Sequence, residues 1–83
     1  MARILIEVKL ATSKTYEFVL DDQGDLREAM QKMISQIESM ESGSVALDPD
    51  HVFLCNITTQ TVIPVTGNIR GANIQSGHTL MIV

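Results

Sequence analysis

Eighty-three residues with a net charge of −4 amount to one domain spanning residues 1–83, small enough to bury about 60–65% of the surface that its unfolded chain exposes. A content of 45% hydrophobic and 19% charged residues excludes disorder, and the single Cys55 excludes an internal disulfide, so an apolar core has to suffice. The acidic balance argues against a phosphate-backbone ligand, hence no nucleic acid. Arg3 and Glu7 interrupt the first apolar run, and no run approaches the roughly 18–20 apolar residues of a membrane span. The expected location is the cytoplasm, with no direct membrane insertion.

Arg3-Ile4-Leu5-Ile6-Glu7-Val8-Lys9-Leu10 alternates with a period of two, a strand with Ile4, Ile6, Val8 and Leu10 on one side. Ala11-Thr12-Ser13-Lys14 is a short polar break suited to a hairpin. Thr15 to Leu20 is a second strand that buries Tyr16, Phe18 and Leu20, and Asp21-Asp22-Gln23-Gly24 turns the chain. From Asp25 to Met40 the period changes to 3.6: Leu26, Ala29, Met30, Met33, Ile34, Ile37 and Met40 form one apolar stripe. Asp25 with Glu28 three positions on marks the start of this helix, and Gly43 marks its end.

Asp48-Pro49-Asp50 makes a turn. His51 to Asn56 is a third strand with Val52 and Leu54 inward, and Thr58-Thr59-Gln60 is a turn. Thr61 to Val65 is a short strand whose Pro64 belongs at a sheet edge, because proline has no N–H to give a ladder. Asn68 to Gly71 suggests a short turn of helix, and Thr79 to Val83 is a last strand. One long amphipathic helix must cover one face of a sheet. The order fits an α+β fold of the β-grasp type, a mixed sheet of 4–5 strands packed on one helix.

Candidate chemistry is sparse. Asp21, Asp22 and Asp25 around Gly24 lack the alternating ligands and closing glutamate of a calcium loop, and a turn plus a helix cap explains them. His51 and His78 lie in different turns and read as surface histidines; with Cys55 they are a poor supply for zinc. A catalytic thiol needs a base and a positive environment, and nothing local to Cys55 supplies either. No catalytic set, cofactor site or metal site is expected.

Alternation does place apolar side chains on the face that the helix leaves open. In a β-grasp sheet the first and last strands are neighbours and the third flanks the last. Leu5, Phe53, Cys55, Met81 and Val83 then point outward together, beside Arg3, Glu7 and Lys9. An exposed apolar cluster of this kind marks a protein contact, whereas scattered single apolar residues are ordinary surface.

Ser13-Lys14-Thr15-Tyr16 and Asn73-Ile74-Gln75 followed by Thr79-Leu80 resemble ubiquitin at matching places, along the whole chain with a modest insertion before Asn73. Arg3 to Val8, Val52 to Asn56 and Ile74 to Val83 are more similar to the small YukD/EsaB-like proteins encoded with type VII secretion systems of Gram-positive bacteria. That resemblance implies a ubiquitin-like fold and a cytoplasmic accessory or regulatory role in secretion. It also implies a protein partner, such as a cytoplasmic domain of a secretion-machine component. Ubiquitin itself is bound through an apolar patch on the corresponding face. Ubiquitin ends in two glycines and this sequence ends at Val83, so the expectation is a non-conjugating module; with no catalytic set, it is not expected to be an enzyme. Two rivals stay open: a small non-catalytic subunit of a multicomponent enzyme, and a modifier or sulfur carrier whose C-terminal glycines are missing here.

Overall fold

The computed structural model of the chain describes residues 2–11, 14–41, 47–48 and 50–83. Strict alternation carries β1 (Arg3–Leu10), in which Ile4, Ile6, Val8 and Leu10 are buried and the residues between them exposed. β1 pairs antiparallel with β2 (Thr15–Asp21), with Ile6 opposite Phe18 and Leu5 opposite Val19. Phe18 is buried as expected, while Tyr16 and Leu20 pack against the core from its half-buried margin.

Helix α1 (Leu26–Met40) begins where the capping signals put it: the Asp25 carboxylate accepts the Glu28 backbone N–H at 3.0 Å. That bond satisfies one of the donors that a first helical turn leaves free. Leu26, Met30, Met33, Ile34 and Ile37 are buried. Met40 is a correction to the sequence reading: it ends the stripe but stays 55% exposed. At the last turn the Glu41 N–H donates to the Ile37 carbonyl at 3.0 Å. The expected cap at Gly43 lies outside the described residues, as do Thr12, Ser13 and Pro49.

β3 (Leu54–Asn56), β4 (Thr61–Ile63) and β5 (Thr79–Ile82) complete a five-stranded sheet of order β2-β1-β5-β3-β4. β5 is parallel to β1 and antiparallel to β3. The result is a mixed sheet with one helix across it, a ubiquitin-like β-grasp. β3 and β4 are shorter than their apolar runs suggested, and Pro64 follows β4, an edge strand that a proline can end without breaking an interior ladder. The segment after β4 closes the helix end of the sheet: Leu26 N–H donates to Gly67, and Ile69 N–H to Gly24. Gly67 holds φ +72°, a left-handed conformation that favours glycine. Residues 68–73 form a hydrogen-bonded turn rather than a helix, pinned by Asn68 Oδ1 accepting from the Gly71 N–H at 2.6 Å.

One ion pair ties the first hairpin to the far end of the helix, Lys14 to Glu41. The lysine's hydrogen bond holds the Glu41 carboxylate below its ordinary 4.5, and the same contact raises Lys14. A lowered carboxylate stabilises the fold above its unfolded value and loses that contribution as pH falls through the folded one. The pair should therefore be intact at pH 7 and stability should decline below about pH 4.5. Lys14→Met is expected to flatten that part of the acid limb in urea midpoints measured across pH. The part due to Asp48, lowered by the Asp50 N–H and by His51, should remain.

Candidate protein-interaction face

The open face is fixed by strand register. On one cross-sheet row Lys9 lies beside Met81, Met81 opposite Cys55, and Cys55 opposite Val62. The next row holds Phe53 and Val83, whose backbones exchange two hydrogen bonds, N–H to O at 2.7 and 2.9 Å. Side chains of inward neighbours, Leu54, Leu80 and Ile82, are all buried, so Phe53, Cys55, Met81 and Val83 share the outward face. Phe53 is 67% and Val62 69% exposed, while Cys55 and Met81 are half-buried by their neighbours. Lys9 edges the cluster, where its apolar stem can lie along Met81.

Leu5 does not join this cluster. It lies four residues from Lys9 along β1, about 13 Å at strand spacing, with the polar row of Glu7 and Thr79 between. Its apolar neighbour is instead Val19 of β2. Val62 and Val19 are the outward apolar residues that the sequence reading left out. The signal was present in each case, since Val19 alternates with Phe18 and Leu20, and Val62 precedes the buried Ile63.

Among the described residues no group of three or more His, Cys, Asp or Glu side chains comes together in a form suited to a metal ion. His51 is exposed and bonds the Asp48 carboxylate at 2.5 Å. His78 is not the surface histidine the sequence suggested. The Gln75 backbone N–H donates to its Nδ1 at 3.2 Å, and the Asn56 amide nitrogen lies 3.0 Å from the same atom. Among the described residues Asn56 is the buried polar one, 1% exposed, and its Oδ1 accepts the Thr59 N–H at 3.2 Å. A buried amide with both ends bonded fixes the β3–β4 turn beneath the apolar face. The hint in the sequence was an asparagine just ahead of a Thr-Thr turn, where its side chain can hold the backbone.

The fold has close structural counterparts. A ubiquitin-like domain of EccD5 from Mycobacterium xenopi superposes over 100% of this chain and 94% of its own length, with a TM-score of 0.76 at 14% identity. A designed protein based on ubiquitin covers 98% of this chain and 87% of its own, with TM-score 0.75 and 15% identity. The ubiquitin of Caldiarchaeum subterraneum covers 98% and 91%, with TM-score 0.69 and 13% identity. Neither a protein-family model nor a curated protein sequence matches the chain. At these identities the likeness defines the class by fold: a ubiquitin-like domain.

Proposed function

We propose that this chain is a non-catalytic, non-conjugating ubiquitin-like interaction module of the YukD/EsaB kind. In this reading it serves in the cytoplasm as an accessory or regulatory component of a type VII secretion system. The observation that carries the reading is the outward cluster of Phe53, Val62, Met81 and Val83, an apolar surface on the sheet face that the helix does not cover. The likeness to the EccD5 domain, from a type VII secretion component, supports the choice of machine. The partner is a cytoplasmic domain of that machine.

The test is in-cell crosslinking from position 62 or 81, followed by identification of what is captured. A secretion-machine subunit is the expected product. Recovery of oxygenase subunits alone, or of the chain covalently joined to lysines of other proteins, overturns the proposal.

A further inference from the structure

Hydrogen-bond direction sorts the charged residues of the open face. Leu10 N–H donates to the Lys14 carbonyl at 3.1 Å and Asp22 N–H to the Ala2 carbonyl at 2.9 Å. Bonded pairs alternate along an antiparallel ladder, and facing side chains come closest at the pairs between them. In this register Arg3 opposite Asp21 and Glu7 opposite Glu17 both fall at such close pairs. The first joins opposite charges. The second joins like charges, an arrangement that destabilises a sheet. Both glutamates are exposed, and among the described residues no ion pair reaches either of them. A local rule broken in this way is expected where a residue serves function at some cost in stability.

The two carboxylates border a hollow of about 350 Å³ with Leu5, Gly77 and Thr79. Gly77 holds φ +88° and has no side chain to fill it. The hollow adjoins the apolar cluster. Glu7 stands beside Thr79, and Met81 follows two residues on along β5. At sheet spacing this sets Met81 about 8 Å from Glu7 and about 12 Å from Glu17.

We propose that the protein partner of the open face sets an arginine between Glu7 and Glu17, about 10 Å from the apolar side chain that it lays on Phe53 and Met81. This rests on that face being the docking surface and adds the chemistry it selects. A planar guanidinium presents donors in a fixed fork and can bond two carboxylates at once, which cancels the repulsion that the free chain bears. A calcium ion would need about six to eight oxygen ligands, more than this pair has to offer.

Glu7→Gln with Glu17→Gln separates this role from a structural one: the thermal midpoint of the free chain should rise while binding weakens. In cells, crosslinking from position 62 or 81 should capture the same subunit less in the double variant. In vitro, a capped Leu-Ser-Ser-Arg peptide spans about 10 Å when extended. It should shift the amide resonances of Glu7, Glu17 and Thr79 in the full chain, bind about tenfold or more weakly to the double variant, and weaken with added salt. A Leu-Ser-Ser-Glu peptide should leave those resonances in place. Undiminished capture by the double variant overturns the arginine site and leaves the docking face standing. No capture by the unaltered chain, with the peptide shifts intact, counts against the secretion role and not against the arginine site. Equal shifts with both peptides, or none, overturn the proposal, as does a lower thermal midpoint in the double variant. So do the same shifts with calcium chloride alone, or a dimer in sedimentation that the double variant abolishes.

Discussion

Leu80→Ala and Leu54→Ala are each expected to lower folding stability by about 2–5 kcal/mol, the range for leucine truncations that leave a cavity. Both side chains are fully buried, at 0% exposure, on the sheet face that α1 covers. Their strands, β5 and β3, are both interior strands of the sheet, so the strands on either side are held by ladders and cannot collapse into the void. A domain of this size has about 5–15 kcal/mol in total, so either change removes a large share. Urea unfolding should show midpoints shifted down with an unchanged slope, since the surface exposed on unfolding hardly differs. Loss of under 1 kcal/mol in both would mean that the helix does not cover these positions.

Where a local period decided the outcome, the sequence was readable in detail. Alternation named every buried residue of β1, and the 3.6 period with Asp25 and Glu28 located the helix start. What resisted reading depended on partners distant in the chain. The parallel register that sets Lys9, and not Leu5, beside Met81 has no hairpin to fix it. It joins strands separated by the whole helix and three further strands. Without that register Leu5 looks like a member of the Phe53 cluster. Met40 escaped because a stripe shows which side of a helix is apolar but not where the sheet beneath it ends. Asn56 and His78 escaped for a related reason: each is polar and ordinary alone, and takes a structural place only when a residue 22 positions away supplies the second half of the network.

Phe53→Ala and Met81→Asp are expected to cost a partner about 2 kcal/mol or more of binding, the threshold that marks an interface anchor. Burying one such side chain on association contributes on the order of 1.5–3 kcal/mol, and Met81→Asp adds a charge that must be desolvated. The free chain should barely respond. Phe53 is 67% exposed, and its two hydrogen bonds with Val83 are made by the backbone, which alanine retains. At Met81 the penalty is bounded by the strand propensity of aspartate, within about 1 kcal/mol, and Lys9 lies alongside to pair with it. Two measurements on each variant separate the roles: the thermal midpoint of the free chain and its affinity for the crosslinked partner. Unchanged melting with lost binding identifies the face as the docking surface. Early melting with full binding would show that these side chains support the sheet instead. If neither quantity moves, the cluster is ordinary surface, and the partner must be held elsewhere on the molecule.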